Sequence, residues 1–234
     1  METHWHTELA STNDEAKRIV PLGAPHGTLV GADYQTAGRG RSGKVWECAP
    51  GDGLMCSVIL KPTWEKQYWG WVALVTGLVM AELLERDCLH PTIKWPNDIL
   101  VNGKKICGIL TEASGDHVIV GIGMNLNMSS LPEVESSLKP TSFFLETDCR
   151  LDARSYAMTV RYALVQALAA ESPLLFREQI VRRLAWLNQR VSLQTRTESL
   201  TGELVGLAQA GQLILDIDGQ SQEVYDAHDI RVVY

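Results

Sequence analysis

Two adjacent residues, Asn102 and Gly103, narrow the folds open to this chain more than any others. They sit between the runs Asp98-Ile-Leu-Val101 and Lys104-Lys-Ile-Cys-Gly-Ile-Leu-Thr-Glu112. Asn-Gly between apolar runs is the strongest short hairpin signal, because a type I′ turn needs positive φ at both central residues. A third strand, His117 to Asn127, follows the Ser-Gly-Asp turn at 114–116 and extends the pairing into a meander. An antiparallel sheet therefore stands at the centre of the fold.

The segments before it read as strand, helix and loop. Ser11 to Val20 is expected to be a helix, with Ser11 as N-cap, Asp14 in the first turn and Pro21 after the end. Thr28 to Tyr34 and Gly53 to Leu60 are strands, the second ended by Lys61-Pro62. Gln67 to Arg86 is apolar on most helical faces and is expected to be a buried helix. Leu151 to Ala170 and Pro173 to Leu187 are amphipathic helices, capped by Asp152 and Ser172. From Gln189 the period changes to two, in Val191–Thr195, Glu203–Leu207, Gln212–Ile217 and Glu223–Tyr225, with turns at Gly202, Gly211 and Gly219. Short strands over that length suggest a small barrel, and the boundary falls at Trp186 to Arg190.

The loop Gln35 to Glu47, Gln-Thr-Ala-Gly-Arg-Gly-Arg-Ser-Gly-Lys-Val-Trp-Glu, has neither apolar period. It carries Arg39, Arg41 and Lys44 against Glu47, a basic island in a chain of net charge -7. Its glycines let backbone approach a ligand closely, and its N–H groups and arginine forks suit phosphate or carboxylate oxygens. The same residues would also suit a solvated surface loop.

Elsewhere the chemistry is sparse. His4, His6, His26, His90, His117 and His228 are scattered without metal-ligand spacing, and no Ser/His/Asp set or Walker A lysine motif is present. Five cysteines, never two apart, argue against a disulfide framework and a zinc knuckle, with Cys56 and Cys107 read as buried thiols. A cytoplasmic location is expected. No run of eighteen apolar residues occurs, and the acidic balance speaks against wholesale nucleic-acid binding. Strand alternation places Lys105, Cys107, Ile109 and Thr111 on one face and Lys104, Ile106, Leu110 and Glu112 on the other, so either lysine can be the inner one. Gly121, Gly123, Asn125 and Asn127 form one row of their strand, which leaves space for a ligand. In Lys94-Trp-Pro-Asn-Asp98, Asp98 could hold Mg²⁺ through water or orient an arginine, or simply open a hairpin.

Gly38-Arg-Gly-Arg-Ser-Gly-Lys-Val-Trp46, Lys94-Trp-Pro-Asn-Asp98, Lys105-Ile-Cys-Gly-Ile-Leu-Thr-Glu112 and Gly121-Ile-Gly-Met-Asn-Leu-Asn127, in that order, resemble the biotin protein ligases. Ser11-Thr-Asn13 and Gln35 complete the pattern. The resemblance implies an α+β catalytic domain of class II synthetase type over residues 1–187, with a mixed, mostly antiparallel sheet and helices. A small SH3-like β-barrel over 188–234 completes the expected fold. It implies two reactions: biotin and ATP, with Mg²⁺, give biotinyl-5′-AMP, and a lysine of a biotin carboxyl carrier domain then takes the biotin. It selects Lys105, and makes Lys105, Arg39 and Arg41 the expected catalytic cations. Ser11, Thr12, Asn13, Gln35, Arg39, Gly40, Arg41 and Lys105 are the expected biotin contacts. Arg41, Lys44, Trp46, Asn97, Asp98 and Asn125 are the expected nucleotide contacts, with Asp98 as the metal ligand. Lys44 stands where the family has arginine, a weaker partner for bidentate phosphate contacts. With Ser-Thr-Asn at residue 11, no DNA-binding domain and no repressor role are expected. No membrane partner is expected either, and the state is monomer or homodimer. A lipoate or octanoate ligase is the first alternative, and a nucleic-acid-binding module the second.

Overall fold

The computed structural model describes residues 1–131, 138–227 and 229–233; His228 lies outside the described residues. The chain forms a seven-stranded sheet and, after it, a five-stranded antiparallel sheet. The first sheet comprises β1 (Thr3–Leu9), β2 (Thr28–Gln35), β3 (Gly53–Leu60), β4 (Pro91–Lys94), β5 (Asp98–Val101), β6 (Lys104–Ser114) and β7 (His117–Asn125). Its order is β1-β2-β3-β7-β6-β5-β4, with β1 parallel to β2 and every other pair antiparallel. The expected mixed, mostly antiparallel sheet is thus present. Asn102 and Gly103 join β5 to β6 with φ of 51° and 72°, the positive pair that a type I′ turn demands.

Both faces of this sheet are covered along β3, which is buried over its whole length and apolar except at Gly53 and Ser57. On one face, Leu54, Cys56, Val58 and Leu60 of β3 and Val118, Val120, Ile122 and Met124 of β7 join the main core. That core is closed by α2 (Trp71–Arg86) and α4 (Ala153–Leu168). On the other face, Ile59 and Ile119 meet Ala16 and Ile19 of α1 (Thr12–Ile19). The short helix α1 covers only one end of that face. The other end remains a cleft.

Several boundaries differ from the sequence reading, each for a visible reason. The helix expected from Gln67 starts at Trp71, after a separate 3-10 turn at Lys66–Tyr68. The helix expected over Pro173–Leu187 is a 3-10 turn, Pro173–Phe176, followed by α5 (Arg177–Arg182). It stops because residues 183–185 leave it to pair with the outer edge of β4: Ile93 N–H donates to Arg183 O and Ala185 N–H to Ile93 O. The edge strand β1 and the short helix α3 (Phe143–Thr147) carried no periodic signal and were not anticipated.

The second sheet contains β8 (Arg190–Gln194), β9 (Ser199–Leu207), β10 (Leu213–Ile217), β11 (Gln220–Val224) and β12 (Asp229–Val232), in the order β11-β10-β9-β8-β12. It is an open antiparallel ladder: among the described residues no pairing joins β11 to β12. The turn before β10 docks on α2 and on the residue that follows β4. Trp71 and Trp95 donate their indole N–H groups to the carbonyls of Gln209 and Gly211, both at 2.9 Å.

Candidate active site

The cleft lies on the open part of the sheet, under the loop of residues 36–52 and beside the second sheet. It encloses about 1050 Å³, a volume that includes the open solvent at its mouth. Ser11, Thr12, Asn13, Gln35, Arg39, Gly40, Arg41, Lys44, Trp46, Asn97, Asp98 and Lys105 all line it. Asn125 does not: it is buried, and its amide donates to Thr141 O at 2.8 Å. Asn127 likewise holds Leu151, donating to its carbonyl at 2.9 Å and accepting its N–H at 3.0 Å. The amides at the end of β7 thus anchor the following segment, while its glycines shape the cleft.

Those glycines hold space for other side chains. A Cβ on Gly121 would lie 2.2 Å from Asn13 Oδ1, and one on Gly123 would lie 2.5 Å from the Trp46 ring. The start of α1 is seated in this way. Ser11, Thr12 and Asn13 are buried, and Thr12 N–H donates to Gln35 Oε1 at 2.7 Å. Ser11 occupies the N-cap position with extended backbone, but its hydroxyl makes no capping bond, so it remains available to the cleft.

The loop is folded on itself. Gly40 N–H donates to Lys44 O and Trp46 N–H to Gly38 O, and Ser42 and Gly43 turn the chain at φ of 54° and 74°. A Cβ on Gly38 would fall 2.4 Å from Trp46 O, so only glycine lets the two arms close. Arg39 is tied to α1 by two bonds to the Asp14 carboxylate, at 2.6 and 2.5 Å. That guanidinium holds the Asp14 carboxyl below its ordinary range. Arg41 reaches Asn97 Oδ1 at 3.3 Å and pairs with Asp226, between β11 and β12 of the second sheet. Lys44 is exposed.

Plain alternation would put Lys105 in the row of Cys107 and Ile109. The structure does otherwise. The ladder pairs Ile99 with Cys107 and Leu100 with Lys105, so Ile106 is an extra residue, a β-bulge. Ile106 and Cys107 both turn into the main core, and Lys105 comes to the side of Gly108. Its ammonium is 2.7 Å from Asp98 and 5.8 Å from the centre of the Trp46 ring. Lys104 points away and pairs with Glu146 at 3.6 Å.

The sequence reading assigns no role to Lys94 and Asp229, which line the cleft, or to Asp226, which pairs with Arg41. Lys94, its side chain only 11% exposed, stands 3.9 Å from Asp229, and burial lowers its pKa against the opposing pull of Asp98 and Asp229. A charged residue inside a buried strand was the signal for Lys94. Asp229 lines the cleft and Asp226 holds its loop, and nothing local in the sequence marks either. Among the described residues, no group of three or more His, Cys, Asp or Glu side chains is placed to hold a metal ion. A magnesium ion commonly needs only one or two carboxylates beside phosphate oxygens, and Asp98 fits that count.

The cleft therefore has a head of buried hydroxyl and amide groups at the start of α1 and, along the rest of its wall, the cations Arg41, Lys94 and Lys105, each paired with a carboxylate. A family model described as the biotin/lipoate A/B protein ligase family matches residues 8–125, and one described as the biotin protein ligase C terminal domain matches residues 186–231. The chain belongs to the biotin/lipoate protein ligase family. It is 30% identical to the bifunctional ligase/repressor BirA of Bacillus subtilis, over 95% of this chain and 72% of that protein. It is 29% identical to the biotin–[acetyl-CoA-carboxylase] ligase of Paracoccus denitrificans, over 88% of this chain and 90% of that one. Among solved structures it resembles the biotin protein ligase of Aquifex aeolicus in complex with biotin and ATP. The TM-score is 0.87 at 30% identity, over 99% of both chains.

Proposed function

We propose that this chain is a biotin–protein ligase that forms biotinyl-5′-AMP from biotin and ATP and passes the biotin to a carrier-domain lysine. The observation that carries this reading is that one cleft joins buried Thr12 and half-buried Gln35 at its head to the cations Arg41, Lys94 and Lys105 elsewhere along its wall. The head suits the cyclic urea, and the cations suit the carboxylate and the phosphates. In the first step a biotin carboxylate oxygen bonds to the α-phosphorus and the bond to pyrophosphate breaks. Attack of one anion on another is opposed by charge, and fixed cations lower that barrier. That role is assigned to Lys105 and Arg41, which line the cleft, and Arg39 is assigned to act through the loop that it pins to Asp14. In the second step a neutral lysine amine attacks the acyl carbon and AMP leaves.

Magnesium would arrive with the triphosphate, held by its oxygens and the Asp98 carboxylate, and would supply shielding of phosphate charge. Ser11, Thr12 and Gln35 are assigned to the urea, Gly40 to the carboxylate end, and Lys44, Trp46 and Asn97 to the nucleotide. Asn13 is assigned beneath the urea and not against it, because its amide is committed to Ser57 and Glu112. The acceptor is a biotin carboxyl carrier domain, residues 188–234 form a separate SH3-like unit, and the five thiols suit a reducing cytoplasm.

Exchange of labelled pyrophosphate into ATP, run with biotin and with lipoate, tests the reading. Exchange that depends on biotin, followed by biotinylation of a carrier domain, is the expected result. Exchange with lipoate alone would replace the assignment by the family's other branch.

A further inference from the structure

Beneath the head of the cleft runs a chain of side-chain hydrogen bonds that has one consistent set of proton positions. Its fixed end is the Glu112 carboxylate, which can only accept. One of its oxygens takes a proton from the Lys17 ammonium at 2.5 Å, and the other from the Asn13 amide nitrogen at 2.6 Å. Asn13 and Lys17 stand four residues apart on α1, so one helix face delivers both donors. With its NH₂ group committed, Asn13 presents its amide oxygen to Ser57 Oγ, 2.6 Å away. Ser57 is fully buried and has one hydroxyl proton, which this contact takes. Ser57 Oγ is also 2.7 Å from Thr12 Oγ1. Only lone pairs remain on that side of Ser57, so Thr12 is the donor there. The single Thr12 proton is spent inside the protein, and its hydroxyl offers the cleft lone pairs alone. Gly121 supplies the room for this relay, since any Cβ there would strike Asn13 Oδ1.

We infer that Glu112 is a specificity-determining positioning residue. Acting through Asn13 and Ser57, it fixes Thr12 as a hydrogen-bond acceptor, so that the cleft selects a ligand head presenting N–H at that point. The inference rests on the biotin reading above, and a cyclic urea is such a head. Glu112→Gln reverses the relay. A glutamine turns its oxygen to the Lys17 ammonium and its NH₂ to Asn13. Asn13 then flips, giving up the 3.4 Å contact of its amide N–H with Leu110 O, and donates to Ser57, Ser57 donates to Thr12, and the Thr12 proton points into the cleft.

The test is calorimetric binding of biotin and of the two cyclic carbamate analogues, in which one or the other ring N–H is replaced by oxygen. The wild-type chain should prefer biotin over one analogue by about ten- to hundred-fold, the scale of an unpaired buried polar group. In Glu112→Gln that preference should fall below about threefold or invert. Ser57→Ala cuts the relay, so adding Glu112→Gln to it should change the preference no further; a merely loosened pocket would give additive losses. An undiminished preference in folded Glu112→Gln, or additivity in the double variant, overturns the inference. Should Glu112→Gln not fold, Ser57→Ala alone decides, because an unchanged preference there is equally fatal. Wild-type chain that does not bind biotin at all removes the ligase reading first, and this inference with it.

Discussion

Replacing Lys105 by methionine tests the assignment of the reacting cation. Methionine keeps the unbranched stem and removes only the charge. The ammonium sits 2.7 Å from Asp98, with Gly108 and the Trp46 ring at its back, so its position is fixed before any ligand enters. Losing one such preorganised group costs about 10²–10³ in rate, or ~2.7–4 kcal/mol of transition-state stabilisation. A second cost falls on the fold. Asp98 is only 16% exposed and loses its closest cation, at about 1–3 kcal/mol. For a chain of this length that corresponds to roughly 2–12 °C in Tm, which leaves a folded protein to assay. Lys105→Arg should not restore the rate. A Cβ on Gly108 would already lie 3.2 Å from the Lys105 Nζ, and a guanidinium is wider than an ammonium. The assay is rapid-quench, single-turnover formation of labelled adenylate at saturating biotin and ATP, with a melting curve alongside. A folded Lys105→Met that forms adenylate within about threefold of the wild-type rate would refute the reasoning.

Gly123→Ala places a methyl 2.5 Å from the Trp46 ring, so the indole must leave its seat; KM for ATP should rise about tenfold with little change in Tm, read by steady-state kinetics and tryptophan fluorescence. Lys94→Met removes a charge that burial disfavours. The folded pKa of Lys94 lies below the usual 10.5, so its charge destabilises the fold below that folded pKa, and the penalty fades as pH rises toward 10.5. The variant should therefore melt no lower than wild type at pH 7, with the difference shrinking at alkaline pH, while nucleotide affinity falls about tenfold or more; a lower Tm at pH 7 contradicts the sign. Arg41→Gly cuts the loop from both Asn97 and Asp226 and should let the reactive adenylate escape, seen as biotin on bystander lysines. Asp226→Asn should do so more weakly, because it leaves the Asn97 contact. Bystander labelling at the wild-type level in Arg41→Gly would mean that the loop does not retain the intermediate.

The parts of this fold that were legible in the sequence are those that depend on near neighbours. The Asn102-Gly103 turn, the buried run of β3 and the cap at Asp152 each follow from a few consecutive residues. So does the glycine row of β7, although its use differs from the expectation: two glycines seat Asn13 and Trp46, and the amides anchor other segments. What was not legible is set by distant partners. β1 is held by its parallel neighbour, α5 is cut short by the edge of β4, and the bulge at Ile106 arises from pairing with β5. The pairing of Arg39 with Asp14 and of Arg41 with Asp226 also lay beyond sequence pattern, since nothing about a carboxylate 25 or 185 residues away announces its partner.

The inserted residue at Ile106 gives two neighbouring amines unequal fates. Lys104 is half in solvent, and Lys105 is turned toward the ligand side. An amine-selective acylating reagent should therefore mark the first whether or not the protein is loaded, and the second only when the cleft is empty. Mapped by mass spectrometry, the ratio of the two adjacent tags becomes an internal gauge of occupancy, because a single backbone step has made one lysine the reference for the other.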